Sequence, residues 1–210
     1  MKPEYYYNNT RVEILQYLPK AINRHLDIGC AAGMFGKIVK KKYGCESWGI
    51  EYTPQVAELA KQNIDHAYSG DCKEILPKLN ERFDCVTMLD VFEHIAEGDG
   101  LLKLIRTVMD DDSTLVISVP NILYARVALD LFFHRDFQYQ ECGVLDDTHL
   151  RFFTRKSICR QLENAGYKID AVHSINETQD WRFPLKVLDK LTRGRFNDFR
   201  YQQYVISATV

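Results

Sequence analysis

The chain has 210 residues, 46% of them hydrophobic and 27% charged, with a formal net charge of -2. That balance suits one α/β domain with a sizeable core and excludes a disordered chain. It carries no basic surplus for nucleic acid, and no apolar run nears the roughly 20 residues of a membrane span.

The six cysteines (Cys30, Cys45, Cys72, Cys85, Cys142 and Cys159) form no CxxC pair, and Met1 to Tyr5 lacks the apolar centre of a signal peptide. Buried reduced thiols and a cytoplasmic setting are therefore expected. Tyr5, Tyr6 and Tyr7 cannot all face one core; one or two close over a ligand or pack on the surface. Thr10 is expected to cap a helix carrying Val12, Ile14, Leu15 and Leu18, so that residues 1–22 form an N-terminal cap on a single domain spanning 1–210. Arg24 to Ile28 reads as the first strand. It runs into Gly29-Cys30-Ala31-Ala32-Gly33 and a helix over 34–43. A strand, a turn of small residues and a helix bring backbone N–H groups close to a ligand at a helix start. The spacing does not match a dinucleotide fingerprint, because Ala31 and Met34 stand where glycines are wanted. Asp27 before the turn would repel a pyrophosphate and attract a cationic ligand.

Glu46 to Glu51 is the second strand, ending in an acid eighteen residues beyond Gly33, near the spacing of an acid that accepts ribose hydroxyls. Thr53 and Pro54 suit the N-cap and first position of the next helix. His66 to Ser69 is a short third strand. It delivers Asp71, which is also fit to cap a helix over 73–79. Phe83 to Leu89 is a near-continuous apolar fourth strand, and it ends in Asp90-Val91-Phe92-Glu93-His94. A helix through Leu101 and Val108 precedes an acidic turn, Asp110 to Asp112, and strand five, Thr114 to Val119. Residues 120–153 are long for a connection and read as an acceptor lid. Thr154 caps a helix ended by Gly166; Lys168 to Ile175 and Tyr204 to Val210 are the last strands. A basic, aromatic insertion over 178–202 lies between those strands, and its segment 181–200 reads as a peripheral membrane contact, a subunit contact or a solvated hairpin. The alternation predicts a doubly wound, Rossmann-like, seven-stranded sheet, mostly parallel with one antiparallel strand and helices on both faces.

Asp27, Gly29 and Gly33 resemble the first motif of the class I S-adenosylmethionine-dependent methyltransferases, acid-apolar-Gly-any-Gly-any-Gly, with Ala31 departing mildly where small size is what matters. Ligands of such sheets bind at the carboxyl ends of the strands, where residues 29–33, 51, 71 and 90 all fall. The resemblance implies a cofactor site built from Asp27, Gly29, Cys30, Ala31, Gly33, Phe35, Glu51, Tyr52, Asp71, Cys72, Leu89, Asp90 and Val91. Glu51 would take the ribose and Asp71 the adenine amino group, with S-adenosyl-L-homocysteine as the product.

Asp90, Glu93 and His94 are spaced to share one face of a helix start. They resemble the acid-x-x-Glu-His signature of ubiquinone-pathway O-methyltransferases, which implies a divalent cation, magnesium by its carboxylate content. The alternative is Glu93 answering the positive helix end with no metal, and no metal ligand is assigned. His149, flanked by Asp146 and Asp147, is the favoured base and His94 the second. Asp146 to Thr154, with Ser118-Val119-Pro120-Asn121 before it, is similar to a segment of bacterial methyltransferases of surface-polysaccharide and glycan biosynthesis. The expected acceptor is therefore a sugar hydroxyl in a glycan or nucleotide-sugar. A quinone or other small molecule is the alternative, and a silent cofactor-binding protein is the rival from another class. The Asn/Asp-Pro-Pro-aromatic motif of nucleic-acid amino methylation is absent.

Overall fold

The computed structural model describes residues 10–179 and 182–210; the tyrosines at 5–7 lie outside them. A seven-stranded sheet organises the chain. Its strands are β1 (Arg24–Ile28), β2 (Glu46–Glu51), β3 (His66–Ser69), β4 (Phe83–Leu89), β5 (Met109–Pro120), β6 (Lys168–Glu177) and β7 (Tyr201–Thr209). The order is β3-β2-β1-β4-β5-β7-β6. Pairs from β3 through β5 are parallel, and β7 runs antiparallel between β5 and β6. The order reverses beside β1, where the crevice of a doubly wound sheet opens at the carboxyl ends.

Period-two alternation divides the core. Leu26, Ile28, Val86 and Met88 join Leu101, Leu102 and Ile105 of α4 (Gly98–Arg106) and Ile158 and Leu162 of α6 (Arg155–Asn164) in one cluster. Cys85, Val116 and Val205 face the opposite way, against Ile14 and against Phe35 and Val39 of α1 (Met34–Tyr43). Helices thus cover both faces. The cap expected at Thr154 is present, and it closes as a capping box with Ser157.

Several local expectations are corrected. The first helix is a 3-10 turn, Val12–Tyr17, preceded by Arg11 at φ 44 with no side-chain cap, so Thr10 does not start it. The helix expected over 73–79 divides into α3 (Cys72–Ile75) and a 3-10 turn, Leu76–Lys78, where Pro77 leaves no N–H for a longer α-helix. The acidic residues Asp110 to Asp112 belong to the start of β5. The stretch over 120–153 contains one short helix, α5 (Ala125–Leu129), and a wide turn, Asp130–His134. Its end is pinned to the sheet through a bridge between Asn121 and Phe153. In the later insertion, α7 (Arg182–Leu191) buries Leu185 and exposes Phe183 and Leu191. No described helix is long and apolar enough to cross a membrane.

Candidate active site

The turn after β1 has the tight backbone that its small residues predict. Gly29 sits at φ +75, and a Cβ there would lie 2.3 Å from Val91 Cγ2. Ala31 takes φ 48, a left-handed conformation that costs an L-residue about 1–2 kcal/mol. Its N–H is held by Glu51 Oε2 at 3.0 Å, while Glu51 Oε1 accepts the Thr53 N–H at 2.9 Å. One buried carboxylate therefore ties the β1 turn to the start of α2 (Pro54–Ala60).

Asp27 ends a buried relay. Thr87 donates to Asp27 Oδ1 at 2.7 Å, which leaves its oxygen to accept from His25 Nε2 at 2.9 Å; Ser47 donates to the other ring nitrogen at 3.5 Å. Burial pushes the Asp27 carboxyl up to about 7, against the pull of Thr87 and Arg11, and pushes His25 down to about 3.

Tyr52 stands open to solvent at 74% exposure, free to lie over a ligand. Asp71 accepts the Lys73 N–H at 2.8 Å, so it caps α3 and keeps an exposed carboxylate at the strand end. Leu89 and Val91 are half-buried at the end of β4. Three side chains belong to the core instead. Phe35 packs with Ile14 and Val39, edge-on to His25; Cys30 joins Ala60 and Ile64; Cys72 joins the main cluster. Only their backbones remain for a cofactor. Burial holds the Cys30 thiol well above its ordinary range and pushes Cys72 up to about 11, so neither is a nucleophile at neutral pH.

The Asp90, Glu93 and His94 face does not form. Asp90 adopts φ 54 and the residues Phe92–His94 make a 3-10 turn, which breaks the α-helical spacing. The Asp90 carboxylate turns to Arg11, to Ser118 Oγ at 2.9 Å and to Gln203 Nε2 at 2.9 Å. Burial works against the Arg11 cation, but Asp90 and Glu13 outweigh it and hold its pKa above the ordinary value. Sequence reasoning missed Arg11 and Gln203, because neither lies in a motif and both arrive from distant segments.

Glu93 is fully buried, and neither carboxylate oxygen has a hydrogen-bonding partner. His149 Nε2 lies 3.8 Å from Glu93 Oε1. Two backbone bonds make this meeting: the Leu150 and Arg151 amides both donate to the Glu93 carbonyl, at 3.0 and 3.1 Å. His149 Nδ1 meets the Val144 carbonyl at 3.0 Å rather than the carboxylate expected of Asp146 or Asp147. Asp146 Oδ1 caps Thr148 instead, and Asp147 is exposed. His94 is half-buried, its Nδ1 3.1 Å from the Thr148 carbonyl and its ring centroid 4.8 Å from that of His149. The two histidines expected to act are thus together, with Glu93 rather than Asp90 as the acid beside them.

A tight glycine turn, an acid at the end of β2, a second acid after β3 and an open tyrosine suit an adenosyl ligand with a cationic sulfur. A methyltransferase-domain family model matches residues 4–172, and the chain belongs to that family. Its fold is that of the class I S-adenosylmethionine-dependent methyltransferases. A methyltransferase of this type from Archaeoglobus fulgidus superposes with a TM-score of 0.69 at 21% identity, over 94% of this chain and 90% of that one. The ubiquinone biosynthesis O-methyltransferase of Coxiella burnetii (strain Dugway 5J108-111) is 25% identical over 127 residues, 58% of this chain and 54% of the relative. The enzyme of that name from Azorhizobium caulinodans is 28% identical over 103 residues, 47% of this chain and 40% of the relative. The chain therefore spans about half the length of these curated relatives, or less.

Proposed function

We propose that the chain is an S-adenosylmethionine-dependent O-methyltransferase whose acceptor is a sugar hydroxyl in a glycan or nucleotide-sugar. When bound, the cofactor supplies a methyl group on an electrophilic sulfonium. The turn Gly29–Gly33 would meet its amino-acid end with backbone N–H groups, Glu51 its ribose and Asp71 its adenine, with Tyr52 stacked above. Asp27, once ionised, would place negative charge beneath the cationic end, and the cation would in turn favour that ionised form over the raised value that burial gives it.

The observation that carries the acceptor reading is a cavity of about 180 Å³ within the segment 124–145, closed on one side by Gln202. Tyr124, Arg126, Asp130, Gln140 and Gln202 line it beside the apolar Val127 and Leu145, a mix of polar groups and apolar faces that suits a polyol ring. Val144, whose carbonyl takes the His149 N–H, lines it too. The Glu93, His94 and His149 cluster next to it assists loss of the hydroxyl proton, and the rest of the rate comes from aligning oxygen and methyl in line. His149→Ala should lower turnover ~10²–10⁴-fold at unchanged cofactor affinity; His94→Ala should disturb both, because it adjoins the Asp90 loop. Single-turnover assays over a panel of sugars and nucleotide-sugars, with calorimetry on S-adenosylhomocysteine, read both quantities. Full turnover in His149→Ala would remove it from the chemistry. Cofactor binding with no turnover on any acceptor would favour the silent binding protein.

A quinone acceptor is the second reading, favoured by the names of the curated relatives and by exposed Phe132, Phe133, Phe183 and Leu191. Phe183 and Leu191, on the helix that carries Lys186 and Lys190, support peripheral contact with an anionic membrane.

A further inference from the structure

Both imidazoles of the cluster have one nitrogen committed. His149 Nδ1 and His94 Nδ1 each lie at hydrogen-bond distance from a backbone carbonyl, Val144 at 3.0 Å and Thr148 at 3.1 Å. A carbonyl only accepts, so each Nδ1 carries the proton and each Nε2 presents a lone pair. Glu93 adds a fully buried carboxylate with both oxygens unpartnered. The His149 Nε2 lone pair thus lies 3.8 Å from a Glu93 oxygen among buried groups, an arrangement that costs energy unless a cation or a shared proton lies between them. Imidazoles whose second nitrogen donates to a backbone carbonyl are the usual form of metal-ligating histidine.

We infer that Glu93, His94 and His149 hold a divalent transition-metal ion of the zinc, cobalt or iron type. One ligand atom from each of the three lies within 4.8 Å of the others. A tetrahedral ion with bonds of about 2.1 Å sets its donors about 3.4 Å apart. The 3.8 Å between Glu93 and His149 nearly meets that spacing. The half-buried His94 has room to close the remainder by side-chain rotation. Two nitrogen donors and one carboxylate select against magnesium, which takes oxygen ligands. Asp90 is not a member, being held by Arg11, Ser118 and Gln203. Three protein ligands leave a coordination position open, as in catalytic rather than structural sites. Held by these residues, the ion would join the loop after β4 to the end of the segment 120–153. The binding claim stands without the proposed methyl transfer; a part for the ion in activating the hydroxyl rests on that reading.

The test uses the full chain without an affinity tag, stripped with a chelator, desalted and titrated with Zn²⁺ alone, Co²⁺ alone and Mg²⁺ alone. The expected result is one equivalent of Zn²⁺ by calorimetry, a visible Co²⁺ spectrum of a four- or five-coordinate site, and no Mg²⁺ binding at matched concentration. Glu93→Gln and His94→Gln should each weaken Zn²⁺ more than about 100-fold, beyond the 10–100-fold that outer-shell changes cost. His134→Gln, at an exposed residue paired with Asp130, should leave it unchanged. If Glu93→Gln does not fold by circular dichroism, His94→Gln decides, since that side chain is partly open. Substoichiometric binding, a six-coordinate Co²⁺ spectrum, or unaltered Zn²⁺ affinity in His94→Gln would each overturn the site. S-adenosylhomocysteine binding, measured on the same samples, separates the two claims: its loss with Zn²⁺ retained sinks the methyltransferase reading alone.

Discussion

Glu51 has both oxygens on backbone N–H groups, Ala31 on one side and Thr53 on the other. Each oxygen keeps a second lone pair for a ribose hydroxyl. Glu51→Ala should therefore weaken S-adenosylhomocysteine by about 1–3 kcal/mol, read as a calorimetric dissociation constant, and Glu51→Gln by less, because one acceptor remains. An unchanged constant in both variants would take Glu51 out of the ligand site. His25 makes a prediction about acid stability. Its ordinary value is 6.5 and its folded value about 3. The unfolded chain thus binds the proton first, and stability present above pH 6.5 is lost as pH falls toward 3, with a slope approaching about 1.4 kcal/mol per pH unit. Asp27 acts oppositely: its folded value is raised from 3.8 to about 7, so its contribution is lost as pH rises through that window. His25→Phe removes the first effect and leaves the second. Denaturant melts from pH 4 to 7 should show the variant losing less stability on acidification than the parent, whatever its absolute stability; an equal slope would refute the assignment.

At the level of elements, the lid invites a deletion. Leu131 to Cys142 is exposed throughout, whereas Val127 and Leu145 on either side are buried. Replacing 131–142 with a short Gly-Ser link should keep S-adenosylhomocysteine affinity within a few-fold and abolish methyl transfer; retained turnover would show that the acceptor binds elsewhere. The elements themselves were largely legible. Apolar runs such as Phe83 to Leu89 announce buried parallel strands, and a glycine turn announces a backbone conformation that few other residues adopt. The side chains at that turn were less so. The resemblance to the family motif places Phe35 at the ligand, but a motif gives a position in the chain and not the direction of a side chain, and Phe35 faces the core. Asp90 was aligned with Glu93 and His94 on helical spacing, and one residue in the left-handed region undid it. The meeting of His149 with Glu93 rests on backbone bonds between distant segments, which no local pattern encodes.

Over the whole molecule, the exposed apolar side chains Phe183 and Leu191 lie in α7, which also carries Lys186 and Lys190. Sedimentation with anionic vesicles should recover the chain at low salt and release it as screening rises, with neutral vesicles recovering little. Phe183→Ser with Leu191→Ser should reduce recovery, and equal recovery on neutral and anionic lipid would remove the electrostatic part of that reading. The placing of β7 bears on how the molecule is made. β6 is synthesised first, yet its pairing in the sheet is with β7, which also supplies the second neighbour of β5. A nascent chain that has emerged only as far as β6 therefore carries an unpaired strand beside an open sheet edge, the kind of surface that chaperones shield and that aggregates otherwise. Gln203 reaches Asp90 only when β7 arrives. The loop after β4 is thus completed only when β7, whose Gln203 lies 113 residues beyond Asp90, has left the ribosome, and a growing chain gains the stabilisation of that contact no earlier.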